Sequence, residues 1–398
     1  MELRKKLSWV AVLYFAEGFP FGIAVDQWPV YFRTHGVALE AIGLLSFLGL
    51  PWTLKVLWSP LIDRFGQRRQ WITGALLLMA MLLALLPLLD PAQPSFWLWA
   101  LLLAFTAASA TQDIAIDAYT IGLLAPGEEG IANGVRVSAY RAALIAGGGG
   151  LLMLVRVLGW PIVFWCAAAT CVLLAAAVWQ SPPLITSGDR EGGVGLAPLR
   201  AWLRRPGALL IFLFVLTYKL GDSSMGPMVK PFWVDAGLSV EEIGLVSTTF
   251  GVGATVVGAL AGGVLTTRWG IFRGLWALGL LQAFSNLGYA AAAYSGSGRA
   301  GIYAASLLES FTGGLGTAAF LAFLMHICDK RQAATEYALL SAIFGLTRSL
   351  AGGVSGIGAS QLGYAAYFLL TFLLSFPAYV LLPWVRGWVR ADAAAAAP

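Results

Sequence analysis

Runs of about 20 apolar residues, the length a helix needs to cross the hydrocarbon of a bilayer, recur twelve times along this sequence. They start near residues 8, 40, 71, 95, 131, 160, 206, 240, 271, 299, 335 and 363. Backbone in lipid must satisfy its own polar groups, so runs of this length can only become helices. With 59% hydrophobic and 11% charged residues, the chain lies far outside the range of a soluble domain. The stretch from Met1 to Lys6 is basic, but the run after it carries Glu17 and Asp26 and has no small-residue cleavage site. It therefore reads as a first spanning helix, with nothing removed.

Lys and Arg mark the cytoplasmic segments of such proteins. With the N-terminus inside, the inside segments hold sixteen of them: Arg4, Lys5, Lys6, Arg64, Arg68, Arg69, Arg190, Arg200, Arg204, Arg205, Arg268, Arg273, Lys330, Arg331, Arg386 and Arg390. The outside segments hold only Arg33, Arg156, Lys230 and Arg299. Both termini are thus expected in the cytoplasm. The net charge of +5 is a topology signal, and no nucleic-acid partner follows from it. Cys166, Cys171 and Cys328 show no CxxC spacing and no His at ligand spacing, so they read as packing residues. His35 and His326 stand alone near helix ends. Neither a metal nor a cofactor is expected.

The polar stretch "SPPLITSGDREGGVGLAPLRAWLRRPG" reads as a flexible linker, placed at 181–205 between halves 1–180 and 206–398. The halves repeat one another: "EAIGL" at 40–44 recurs as "EEIGL" at 241–245, each expected just before the second helix of its half. "LIDRFGQRR" at 61–69 matches "LTTRWGIFR" at 265–273, which sets Arg64 over Arg268 and Gly66 over Gly270. Two six-helix halves in parallel repeat resemble the major facilitator arrangement, an all-α membrane fold of twelve transmembrane helices. The first loop resembles that superfamily's D-R-x-G-R-R signature as Asp63, Arg64, Gly66, Arg68 and Arg69. Either it sets topology only, or Asp63 accepts bonds from a neighbouring helix and forms a gating latch. Two departures stand out: the small residue four before the Asp is Ser59, followed by Pro60, and the second copy keeps Gly263 but has Thr267 in place of the Asp.

Six acids lie within the spans, Glu17, Asp26, Asp113, Asp117, Asp222 and Glu309, all on segments 1, 4, 7 and 10. The five bases there, Lys55, Arg136, Arg141, Lys219 and Arg348, lie on segments 2, 5, 7 and 11. Segments 3, 6, 9 and 12 carry none. Charges in a bilayer face a polar interior, so the pattern separates cavity-lining segments from lipid-facing ones. Lys55 and Arg348 are either structural, snorkelling bases or substrate contacts. Lys219 and Asp222 either pair along one helix or bind ligand. Glu17 and Glu309 lack a charged partner on their own helices and are candidates for gaining and losing protons at a common water-filled cavity. The glycine runs Gly147–Gly150 and Gly313, Gly314 and Gly316 read as close helix packing.

Depth counting pairs the charges of segments 4 and 5 across a turn at Pro126 and Gly127. Asp117 and Arg136 come out level, as do Asp113 and Arg141, about 15 Å in at 1.5 Å per residue. The shallower pair reads as structural. The deeper one would let Arg141 exchange Asp113 for an anionic substrate while the carboxylate takes up a proton.

The pieces "LPWTLKVLWSPLIDR", "ATQDIAIDAY", "ANGVRVSAYRAALIAGGGG", "YKLGD", "EEIGLVSTTFGVGATVVGALAGGVL" and "LLQAFSNLGYA" together resemble the AmpG-type muropeptide permeases and the related acetyl-coenzyme A and siderophore carriers. The resemblance implies a proton-coupled importer of anhydro-sugar peptides in the inner membrane, with siderophores or acyl-coenzyme A as alternative cargo. The polar motif positions it carries over are Lys55, Gln112, Asp113, Asp117, Tyr140, Arg141, Lys219, Asp222, Gln282 and Asn286. On that basis Lys55, Arg141 and Lys219 would meet substrate carboxylates, Gln282 and Asn286 its sugar or amide groups, and Gln112 and Tyr140 would complete the binding surface. Proton coupling would fall to Asp113, Glu17, Glu309 and Asp222. The expected partners are an anionic amphiphile, protons and the bilayer, with the chain a monomer and not an enzyme. No GxxxxGK[ST] loop for nucleotide-driven pumping is present.

Overall fold

The computed structural model describes residues 2–93, 95–124, 128–183, 207–327 and 333–395, and the regular structure among them is entirely helical. Eight stretches are long and apolar enough to cross a membrane. Two of these, Gly134–Trp179 and Leu340–Gly387, have 46 and 48 residues, and each is a pair of spans joined at a glycine with non-helical backbone. Gly159 has φ 76° there and Gly363 has φ 73°, conformations a side chain would strain.

With these breaks the helices run α1 Leu3–Thr34, α2 39–64, α3 Arg68–Leu88, α4 Phe96–Leu123, α5 129–158 and α6 160–179. The second half follows as α7 Ala208–Asp235, α8 Val240–Trp269, α9 Ile271–Ser295, α10 Gly298–His326, α11 333–362 and α12 364–395. The count matches the twelve apolar runs. "EAIGL" and "EEIGL" lie inside the opening turns of α2 and α8 instead of preceding them. The reason at α8 is a capping box: the Glu242 N–H donates to Ser239 Oγ at 3.2 Å, and the Ser239 N–H donates to Glu242 Oε2 at 2.8 Å. Gly66, with φ 71°, and Gly270, with φ 83°, turn the chain at matching loops, so the sequence repeat is also a backbone repeat.

Contacts divide the chain into two units. One comprises the described residues of Met1–Val37, Pro51–Gly192 and Gly237–Thr249; the other those of Ala38–Leu50, Gly193–Ala236 and Phe250–Pro398. The chain thus changes unit within α2 and within α8. Lipid is as apolar as leucine, so helices in it associate through close packing, which small residues permit. In the first unit Gly18 of α1 faces α5 so closely that a Cβ there would lie 2.8 Å from the Tyr140 carbonyl and 2.9 Å from Ala143 Cβ. In the second, Gly262 of α8 meets Leu315 of α10, where a Cβ would lie 2.7 Å from the carbonyl oxygen. That unit also has an aromatic core, with Tyr218 stacked on Phe320 at 5.1 Å and Phe214 edge-on to Phe323 at 5.2 Å.

The expected linker lies almost wholly outside the described residues, as do Pro126, Gly127, Arg190, Arg200, Arg204, Arg205, Cys328, Lys330 and Arg331. The side chains of Asp63, Arg64 and Arg390 are outside them as well.

Candidate functional site

In the first unit α1 and α4 bring three carboxylates together. Asp113 and Asp117 are four residues apart and share a helical face, and Glu17 of α1 meets them there. Oxygens of the three lie within 4.8 Å of one another. Such a cluster needs compensation, and two bases supply it. Lys55 of α2 donates from Nζ to Asp113 Oδ2. Arg136 of α5 sets Nη2 3.3 Å from Asp117 Oδ1 and its guanidinium 4.5 Å from the centre of the Tyr14 ring. The Tyr14 hydroxyl also donates to Asp117 Oδ1, at 2.7 Å. Glu17 has no such partner: its Oε2 is buried without a hydrogen bond. Three acids against two bases leave one negative charge, the charge of one proton short of neutrality. These carboxylates are the grouping among the described residues close enough to hold a cation.

The expected Asp113–Arg141 pair is not formed, and Lys55 takes that place. Counting depth along two helices ignores azimuth. Arg136 and Arg141 are five residues apart, about 140° around a helix of 3.6 residues per turn, whereas acids four apart stay on one face. Only one of the two arginines can therefore face α4. Arg141, in the last turn of the regular α-helical part of α5, makes no ion pair with Asp113. Tyr140 beside it packs against Phe21 at 6.1 Å, and Phe21 meets Trp52 at 5.0 Å, an aromatic patch that single-residue reading of the sequence did not single out. Gln112 is fully buried and donates from Nε2 to the Ala16 carbonyl at 2.9 Å, tying α4 to α1.

The second unit buries its own lysine. Lys219 is 1% exposed, and its Nζ donates to Gln282 Oε1 at 2.6 Å and Thr317 Oγ1 at 2.9 Å. Asp222, one turn along α7, lies 3.7 Å away, so of the two readings of "YKLGD" the intrahelical pair is the arrangement formed. Asn286 donates from Nδ2 to Thr371 Oγ1 at 3.3 Å. Glu309 of α10 stands beside Gly313, whose Cβ position would be 3.7 Å from Glu309 Oε1 and 3.9 Å from Gln282 Nε2. Thr317 and Thr371, the partners that orient these groups, gave no signal in sequence because hydroxyls in apolar helices usually bond their own backbone.

The arginines that open α3 bond carbonyls of neighbouring segments. Arg68 donates to the Ala118 carbonyl at 2.7 Å, and Arg69 to the Ser181 carbonyl at 3.2 Å while lying over the Trp179 ring. Cations at carbonyl-rich helix ends are favoured by the helix dipole. Lys6 makes a 2.7 Å ion pair with Glu128, close to the start of α5.

Apolar spans that bury compensated ion clusters in two repeated units belong to the polytopic transport proteins. The chain belongs to the Major Facilitator Superfamily, whose family model matches residues 10–220 and 211–396. It is 33% identical over 381 residues to the anhydromuropeptide permease of Escherichia coli K12, covering 93% of this chain and 78% of that one. It is also 27% identical to a putative transporter, AmpG 4, of Rickettsia conorii, covering 97% of both chains. Among solved structures, a bacterial homolog of the human lysosomal transporter Spinster, inward-facing and unoccupied, superposes with a TM-score of 0.77 at 16% identity, covering 98% of both chains. The nucleoside transporter NupG does so with a TM-score of 0.75 at 14% identity, over 98% of this chain and 99% of that one.

Proposed function

We propose that this chain is a proton-coupled importer of cell-wall muropeptides, working by alternating access in the inner membrane as a monomer with both termini in the cytoplasm. What carries the reading is the similarity to the E. coli anhydromuropeptide permease along 93% of the chain. The first unit supplies a physical basis for coupling. With Asp113 held by Lys55 and Asp117 by Arg136, Glu17 is the carboxyl whose protonation brings the cluster to neutrality. A neutral cluster crosses between outward- and inward-open states at lower electrostatic cost than a charged one. Asp113 remains coupled to this event through Lys55, and Glu309 beside the Lys219–Asp222 pair is the corresponding acid of the second unit.

Among the bases assigned to substrate, Lys55 and Lys219 are already engaged by carboxylates, which leaves Arg141 as the cation for a substrate carboxylate. Tyr140 and the neighbouring aromatic patch suit the face of a sugar ring. The test is uptake of labelled anhydromuropeptide into membrane vesicles with an inward pH gradient, with ferric siderophore and acyl-coenzyme A as competing cargo. Gradient-driven accumulation of muropeptide, abolished by a protonophore, is expected. Accumulation indifferent to the gradient would remove the coupling, and transport of siderophore alone would replace the substrate.

A further inference from the structure

The three carboxylates of the first unit differ in what donates to them, and the residue that makes the difference is Tyr14, which in its apolar run reads as a packing aromatic. Tyr14 and Glu17 are three apart on α1 and share a helical face, so one turn of α1 presents both a hydroxyl and an acid to α4. Tyr14 is 1% exposed, its ring centre lies 4.5 Å from the Arg136 guanidinium, and its hydroxyl donates to Asp117 Oδ1 at 2.7 Å. Arg136 approaches the same oxygen, but at 3.3 Å and from a side chain 44% exposed. Solvent weakens an ion pair of that kind. The shorter bond from a buried phenol is aimed at one oxygen and is shielded on its donor side. A cation over the ring face also draws on the ring's electrons, which strengthens the phenol as a donor. Hydrogen bonds donated to a carboxylate favour its ionised form, so Tyr14 and Arg136 together hold Asp117 charged.

The charged groups that face one another here are Glu17 of α1, Lys55 of α2, Asp113 and Asp117 of α4 and Arg136 of α5. Asp113 has the Lys55 ammonium as its donor. Glu17 Oε2 is buried with no hydrogen bond. Without the phenol, Asp117 would keep only the half-exposed Arg136, and with an oxygen within 4.8 Å of one on Glu17 it would compete for the same proton.

We propose that Tyr14 is the positioning residue that decides which carboxylate carries the coupled proton: its hydroxyl holds Asp117 ionised and thereby directs the proton to Glu17. The link to transport rests on the proton-coupled reading above; the choice between the two acids does not depend on the cargo. Tyr14→Phe keeps a ring beside Arg136 and removes only the donor. Infrared titration of the purified protein, which reports a protonated carboxyl by its C=O stretch, tests the choice directly. The wild type should show a titrating carboxyl that Glu17→Gln abolishes. In Tyr14→Phe combined with Glu17→Gln a titrating carboxyl should return, and adding Asp117→Asn should remove it. A carboxyl that fails to return, or that survives Asp117→Asn, would overturn the assignment. In vesicles the sign follows from the ionised form losing its support, which raises the proton affinity of Asp117. One hydrogen bond to a charged group in a side chain 37% exposed lies at the low end of its usual range, about tenfold in that affinity. Tyr14→Phe should therefore move the pH of half-maximal muropeptide accumulation upward by about one unit, with the amount of folded protein unchanged. An unchanged pH profile with loss of folded protein would make Tyr14 a packing residue and sink the proposal. If wild-type vesicles show no gradient-driven accumulation, the coupling reading fails, and the infrared titration decides the role of Tyr14 by itself.

Discussion

At the scale of single residues, the Lys55–Asp113 contact decides between a structural and a cargo-binding lysine. Removing one member of a buried ion pair leaves the other uncompensated, at a cost of roughly 3–5 kcal/mol, whereas replacing both is often nearly neutral. The Lys55 side chain is 30% exposed and that of Asp113 15%, which places the cost at the low end of that range. Lys55→Met is therefore expected to lower the yield of folded protein, and Lys55→Met with Asp113→Asn to restore most of it. Detergent-solubilised yield and thermal unfolding of the two variants provide the check; a double variant no better than the single one would mean that Lys55 acts elsewhere. Glu17 makes a different prediction because it has no base of its own. Glu17→Gln should fold normally, retain exchange of labelled cargo across the membrane and lose accumulation driven by the pH gradient. If Glu17→Gln accumulates cargo like the wild type, the proton resides on another acid.

At the scale of elements, the helices pack as their small residues dictate. A valine at position 18 would press its Cβ to 2.8 Å from the Tyr140 carbonyl, and backbone cannot rotate aside as a side chain does. Overpacking of this kind costs about 1–3 kcal/mol, so Gly18→Val should lower the unfolding temperature measurably. Gly74→Val, at a site with open space around it, should not. An equal effect of both would show that the α1–α5 approach is not limiting. The same elements explain what could be read from sequence. Apolar run length gave the number of helices, and the spacing of Asp113 and Asp117 gave their shared face, because both are one-dimensional consequences of 3.6 residues per turn. Pairing was not legible. Which base reaches Asp113 depends on how α2 approaches α4, and Lys55 extends across that gap on a long flexible stem. The Thr317 and Thr371 partners were hidden for a related reason: a hydroxyl inside an apolar run acquires a role only when tertiary packing sets an amide or ammonium beside it.

At the scale of the whole molecule, the proposal that both termini are cytoplasmic rests on the sixteen-to-four distribution of Lys and Arg, and the contacts of the first unit agree with it. The Arg68–Ala118 and Arg69–Ser181 bonds bring the start of α3 to the last part of α4 and the end of α6. The Lys6–Glu128 pair brings the N-terminal segment to the start of α5. Helices that alternate in direction through a bilayer would present these five places on one face, and three of the six residues named, Arg68, Arg69 and Lys6, are bases counted as cytoplasmic. The opposite face of that unit carries Arg33 and Arg156, each near a helix end on the other side of its span. In the second half the exposed Ser297, in the α9–α10 connection, falls on the face expected outside. The prediction uses a chain in which Cys166, Cys171 and Cys328 have been replaced, with single cysteines introduced as Glu2→Cys and Ser297→Cys. A membrane-impermeant maleimide should label Glu2→Cys in inverted vesicles alone and Ser297→Cys in right-side-out vesicles alone. The reverse pattern would turn the protein over in the membrane, so that an inward proton gradient would meet the loop arginines first. Labelling of both sites from one side would instead require an odd number of crossings between residues 2 and 297 to become even, which twelve helices in this order do not allow.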